Sequence, residues 1–154
     1  MAGLFDKVEF VHGPAIANRL TLAPLTNMQS NPDGSLGDAE LHWLEMRAGG
    51  GFGITSTCAM HVQPSGQGFA GQLGCFSDDL LPGLTRLADA VKGKGTVTIA
   101  QLHHGGSRSD SSLIGGQPIC PSDNVEFGAR EMTSAEVEES AEAFIAAAER
   151  CKKA

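Results

Sequence analysis

The stretch Thr96-Val97-Thr98-Ile99-Ala100-Gln101-Leu102-His103-His104-Gly105-Gly106 closes on an amide and two imidazoles. A glutamine amide both donates and accepts hydrogen bonds, and an imidazole does either or takes up a proton near neutral pH. On an extended chain His103 and His104 point to opposite faces, so they cannot both face one site. The residues ahead of Gln101 are mostly β-branched and suit a buried strand. Gly105 and Gly106 let the backbone turn after it. A strand that changes from apolar to polar at its C-terminal end is how parallel α/β folds present a site. Two earlier segments have the same form. Leu20 to Ala23 reads as a strand ending near Pro24, which cannot donate to a ladder, and Pro24-Leu25-Thr26 follows with one hydroxyl. Phe52 to Thr57 reads as another, leading into Cys58-Ala59-Met60, where Ala59 leaves space for a flat object.

Composition narrows the classes of function. The chain has 154 residues, enough for one domain with a buried core. Its net charge of −7 and the lack of a Lys/Arg cluster argue against a nucleic-acid binder. No run of about 18 apolar residues offers a membrane span, and the opening residues lack the apolar core of a signal peptide. Cys58, Cys75, Cys120 and Cys151 are scattered without a CxxC pair, as expected of reduced cytoplasmic thiols. No Cys/His spacing forms a ligand pair on one turn, so no metal site is expected. Twenty glycines are about double the usual share and gather in loops.

The elements that must position the three strand ends alternate along the chain. Val8, Phe10 and Ile16 suit a small hairpin with Gly13-Pro14 in its turn region. Asn31-Pro32-Asp33-Gly34 signals a turn. A helix is expected from Asp38 to Ala48, with Leu41, Leu44 and Ala48 on one face, Trp43 and Met46 broadening it, and Gly49-Gly50-Gly51 stopping it. Ser77-Asp78-Asp79 supplies a cap and two acids for a second helix. Leu80, Leu84, Leu87 and Val91 line its apolar face, and Gly93-Lys94-Gly95 ends it. Gly105 to Glu131 is a long excursion without periodicity. Thr133-Ser134-Ala135-Glu136 is a capping box, with Met132 and Val137 placed for a hydrophobic staple. Val137, Ala141, Phe144, Ile145 and Ala148 are the expected buried face of this last helix. Strand and helix alternate three times, which is a parallel α/β pattern with right-handed crossovers. Doubly wound sheets and eight-stranded barrels both begin this way. No GxGxxG or GxxxxGK[ST] is present, which disfavours the dinucleotide-binding and P-loop versions. A hydroxyl at Thr26, space at Ala59 and an amide at Gln101 suit a flavin, whose pyrimidine edge needs donors and acceptors.

The segment Asn18-Arg19-Leu20-Thr21-Leu22-Ala23-Pro24-Leu25-Thr26 resembles the first barrel strand of the old yellow enzyme family of FMN-dependent ene-reductases. Gln101-Leu102-His103-His104-Gly105-Gly106 resembles its third-strand motif. The Leu4-Phe5-Asp6 opening, the Val62-Gln63-Pro64-Ser65-Gly66 loop and the helix start at Met132-Thr133 also fit, in order, over nearly the whole chain. The resemblance implies a (β/α)8 TIM barrel, of which residues 1–154 would supply the N-terminal hairpin and about the first three βα units. It implies FMN, reduced by NADH or NADPH, and hydride transfer from flavin N5 to the activated C=C bond of an enone-type, α,β-unsaturated carbonyl substrate. Carried over residue by residue, Ala23, Pro24, Leu25 and Thr26 approach the N5/O4 side of the ring, with Thr26 in the catalytic role. Ala59 lies near the same edge, and Gln101 bonds the pyrimidine part. His103 faces the substrate cavity, and His104 braces the loop.

Departures accompany the likeness. Ser107 stands where many relatives have Arg, although Arg108 follows, and Cys58 stands where an acidic residue is common. The family's substrate-anchoring His-x-x-Asn or His-x-x-His pair, its tyrosine and its later phosphate-binding loops are absent. The expectation is therefore the N-terminal part of an ene-reductase, inactive until the remaining barrel half, on the same or a separate chain, completes it. A non-catalytic half-barrel that pairs with another chain, a homo-oligomer and a related FMN barrel such as a dienoyl-CoA reductase stay open.

Overall fold

Three parallel strands, β1 (Thr21–Leu22), β2 (Ile54–His61) and β3 (Val97–His103), form the main sheet in the order β1-β2-β3. The computed structural model describes residues 3–154. Helix α1 (Asp38–Gly49) crosses from β1 to β2, and α2 (Leu81–Lys92) from β2 to β3. After β3 come a short helix α3 (Ser111–Ile114), a two-stranded parallel pair β4 (Ile119–Cys120) and β5 (Arg130–Glu131), and the long helix α4 (Ser134–Lys153). At the N-terminus Val8 and Ile16 exchange backbone hydrogen bonds of 2.9 and 2.8 Å, the antiparallel bridge of the expected hairpin.

The helices form where local chemistry favours them. Ser77 Oγ accepts from Asp79 N–H at 3.2 Å and starts the 3-10 turn Asp78–Leu80 that runs into α2. Pro82 sits in the first turn of α2, where its missing N–H has no helical partner to lose. Thr133 Oγ1 accepts from Glu136 N–H at 3.3 Å, and Glu136 accepts from Thr133 N–H at 2.8 Å, completing the capping box of α4. The Arg130 guanidinium grips the same carboxylate and, together with the Thr133 N–H, holds its pKa down to about 2. The core lies between the sheet and α1 and α2, where Leu41, Leu44, Ala48, Leu84, Leu87 and Val91 meet Met60, Val62, Leu73 and Cys75. Burying each large apolar side chain contributes roughly 1.5–3 kcal/mol.

Three expectations about faces are corrected. On α4 only Ala147 is fully buried, and the stripe that packs is Ala143, Ala147, Cys151 and Ala154. Ala141 and Ala148 are exposed, and Val137, Phe144 and Ile145 are 52%, 37% and 54% exposed. Periodicity marks an apolar face without saying what lies against it. Here α2 and β3 touch the small-residue stripe beside the face that was expected to pack. The staple position Val137 stays half exposed for the same reason. On α1, Met46 is exposed, while Trp43 packs on the core with the Arg47 guanidinium 4.2 Å from its ring centroid. The excursion after β3 is also more structured than its sequence suggests. Asp110 Oδ1 accepts from Ser112 N–H at 2.9 Å and caps α3, and β4 and β5 pair across a turn closed by Asn124 and Ala129.

Candidate functional site at the strand ends

The register between β2 and β3 slips by one residue. Ser56 pairs with Ile99, whereas Ala59 pairs with Gln101, so Thr57 and Cys58 together oppose Ala100 alone. Such a bulge turns both of its side chains to one side of the sheet. Thr57 lies beside Leu84 and Leu87 of α2, and the Cys58 thiol donates to Glu40 of α1. Without the bulge Cys58 would share a face with Ser56, and Ala59 would turn to the helices. With it, the small Ala59 stands beside Gln101, and His61 beside His103. The bulge also takes a ladder acceptor from Gln101, and the Thr57 hydroxyl replaces it: Gln101 N–H donates to Thr57 Oγ1 at 3.0 Å.

The loop after β1 carries Pro24, Leu25 and Thr26 to the same edge, and all three are exposed. Two anchors fix this loop from behind. Ser30 Oγ donates to the carboxylate of Glu40, which is fully buried and also receives the Cys58 thiol. Burial, followed by the charge of Glu40, pushes the Cys58 thiol pKa well above its ordinary value. Ser30 N–H donates to Gly71 O at 3.0 Å. Gly71 has φ +70°, and a Cβ there would lie 2.6 Å from Met28 O, so only glycine allows the two loops to meet. Met28 itself adopts φ 55°, a conformation rare outside glycine.

The three histidines at the end of the sheet have separate surroundings. His61 is 2% exposed, and its Nδ1–H faces Gln63 O at 3.3 Å. His104 Nδ1 accepts from Gly106 N–H at 3.0 Å, and its ring fills the space where a Cβ on Gly66 would lie, as expected of a loop brace. His103 leans on Gln72. Burial lowers the pKa of both His103 and His104.

The free groups at this edge suit a flavin. The Thr26 hydroxyl and the Gln101 amide are exposed and have no protein partner among the described residues, so a donor and a donor-acceptor pair stay open. Ala23, Pro24 and Leu25 add an exposed, mainly apolar surface, and Ala59 adds space. No group of three or more His, Cys, Asp or Glu could hold a metal ion among the described residues. A cavity of about 420 Å³ lies on the other side of the sheet, between β3, α2 and α4, away from these groups.

Residues 4–154 match the NADH:flavin oxidoreductase / NADH oxidase family. The chain belongs to that family. Over 155 residues it is 37% identical to a Bacillus subtilis protein named probable NADH-dependent flavin oxidoreductase, covering 98% of this chain and 41% of that one. It is 36% identical over 151 residues to an NADH:acrylate oxidoreductase of Vibrio harveyi, covering 94% of this chain and 15% of that one. Its structure matches an old yellow enzyme homologue from Zymomonas mobilis with a TM-score of 0.88 at 25% identity, over 99% of this chain and 46% of that one. The chain thus spans less than half the length of these relatives. It supplies the hairpin and first three βα units of a (β/α)8 barrel. The family's cofactor is FMN, with NADH or NADPH as reductant.

Several residues that build this edge escaped the sequence reading. Thr57 gave no sign of a bulge, since a one-residue slip leaves alternation intact on either side. Gln72 lay in a Gly/Gln-rich loop without periodicity, and Glu40 lay unremarked in the first turn of α1, although it is fully buried.

Proposed function

We propose that residues 1–154 are the N-terminal portion of a single FMN-binding barrel domain that reduces the activated C=C bond of an α,β-unsaturated carbonyl compound with NADH or NADPH. The observation that carries this reading is the bulge-set register, which places Ala59 beside Gln101 at the edge where Thr26 is free. FMN, when bound, supplies hydride transfer through its N5. Ala23, Pro24 and Leu25 give the ring an apolar surface, and Ala59 gives it room. Gln101 offers a donor and an acceptor to the pyrimidine edge, and Thr26 donates to flavin O4 in the catalytic role. His103 faces the substrate. The likeness to a protein named for acrylate, itself an α,β-unsaturated acid, supports the alkene as substrate class. Four free thiols suit a reducing cytoplasm.

One group of observations also supports a second reading, in which the chain acts only after pairing with the rest of the barrel. Ile99, Ala100 and Gln101 of the edge strand β3 are exposed, and the cavity behind β3 is uncovered. Flavin absorbance that appears only when a complementary barrel half is supplied supports that reading. Flavin bound by the 154-residue chain alone counts against it.

Thr26→Ala tests the site in the completed, FMN-loaded protein. A hydrogen bond to a group gaining charge strengthens on reduction, and bonds to charged groups contribute roughly 1.5–3 kcal/mol. For a two-electron couple about 1.4 kcal/mol corresponds to about 30 mV. The flavin midpoint potential is expected to fall by some tens of millivolts, on the order of that conversion. Equal potentials with FMN still bound would remove Thr26 from the site.

A further inference from the structure

Gln72 is 1% exposed, and both hydrogens and the oxygen of its amide have partners inside the protein. Its Oε1 accepts from Gly68 N–H at 2.8 Å. Its Nε2 lies 3.0 Å from Ala59 O and 3.1 Å from His103 Nδ1. The amide orientation follows from its partners. Gly68 N–H can only donate and Ala59 O can only accept, so the reversed amide would face donor with donor and acceptor with acceptor. One amide hydrogen therefore goes to Ala59 O and the other points at His103 Nδ1. That nitrogen must accept, which leaves the ring proton on Nε2.

The other end of the ring is open. The Nε2 atoms of His61 and His104 are buried without a partner, whereas that of His103 is not among the enclosed atoms. His103 is a partner of His61 in the sheet register and follows Gln101 by two residues, on the same strand face. Through Ala59 O, Gln72 also holds the residue beside Gln101.

We propose that Gln72 is a positioning residue that fixes His103 as the neutral Nε2–H tautomer, so that His103 meets the substrate as a hydrogen-bond donor to a carbonyl or carboxylate oxygen. The substrate half of this inference rests on the flavin-site reading above, and the tautomer half does not. A donor at this point selects substrates that carry an acceptor oxygen and disfavours a cationic group, which would find no acceptor on His103. Gln72 itself does not touch the substrate.

The tautomer is read directly by long-range proton–nitrogen NMR on the completed barrel protein in its flavin-free form, labelled with nitrogen-15 in histidine and without substrate. The expected result at neutral pH is an unprotonated Nδ1 and a protonated Nε2 on His103. Gln72→Met keeps the side-chain length and removes the donor, and it is expected to shift His103 to a mixture of tautomers. A wild-type Nδ1–H signal overturns the inference even if the variant does not fold, and so does a Gln72→Met spectrum identical to wild type. These measurements are independent of cofactor, so their failure leaves the flavin reading standing, and a completed barrel that does not take up FMN overturns that reading alone. In the completed enzyme Gln72→Met is expected to raise KM for an enone several-fold with a smaller change in kcat. An unchanged KM overturns the substrate contact.

Discussion

His61 shows what a buried residue does to the whole chain's response to pH. Burial pushes its pKa down to about 4, against the pull of the Gln63 carbonyl and with a further push from His103 and His104. Its ring edge meets Phe76 at a centroid distance of 4.9 Å, and Nε2 has no partner. In the unfolded chain a histidine takes up its proton near pH 6.5. Between that value and about 4 the unfolded state binds more protons, so stability falls as pH falls. The loss is of order 3 kcal/mol across this window, since each pKa unit is worth about 1.4 kcal/mol. Above pH 6.5 this contribution is flat, because both states are neutral. Urea midpoints measured from pH 7.5 down to 4 should show the loss, and His61→Gln should remove most of it. A variant with the same pH dependence as wild type would place the effect elsewhere. Single residues of this kind were poorly legible in sequence: the surroundings that separate His61, His103 and His104 come from Gly66, Gln72 and Phe76, which lie apart from them along the chain.

Among the elements, β2 organises the site, and its bulge is the device. The Thr57 hydroxyl serves the Gln101 N–H that the slipped ladder leaves free and donates to Cys58 O at 2.9 Å. Thr57→Val conserves shape while removing both bonds. An unsatisfied buried polar group costs roughly 1–3 kcal/mol, so chemical denaturation should show a loss in that range. The more telling change is local. Amide hydrogen exchange at Gln101 should speed up relative to that at Ile54 and Thr55, which lie before the bulge. Equal protection along β2 and β3 in the variant would mean that Thr57 does not hold the register. The sequence showed strands, helices, caps and turns well because each has a local cause: β-branched runs, Ser77 and Thr133 as caps, and Gly34 closing its turn at φ +82°. It also marked Thr26 and Gln101 near strand ends, because polar residues following apolar runs mark those ends, whereas Ala59, expected after the second strand, lies within β2. The register slip was hidden because it is a relation between two strands. The face of α4 was misjudged because burial depends on which neighbour lies against it.

At the scale of the whole molecule the chain carries more apolar surface than its own fold covers. β3 is an edge strand with Ile99 45% exposed, and α4 presents Val137, Phe144 and Ile145 beside it. Parallel sheets are normally covered on both faces and paired at their edges. The net charge of −7 opposes association only weakly at physiological salt, where charges about 8 Å apart are already screened. Hydrophobic surface of this extent is therefore expected to drive the isolated chain into self-association. Ile145→Lys and Ile99→Lys test the two contributors separately. Both side chains are substantially exposed, so circular dichroism should keep its helical and strand content in each variant. Sedimentation velocity over a concentration series should show wild type moving to larger species as concentration rises, with Ile145→Lys and Ile99→Lys shifted toward monomer. If only Ile99→Lys restores the monomer, the open strand edge is the main route. If only Ile145→Lys does, the face of α4 is. A wild-type chain that sediments as one monomeric boundary at every concentration, and unfolds cooperatively, would show that these surfaces are tolerated in water as they stand.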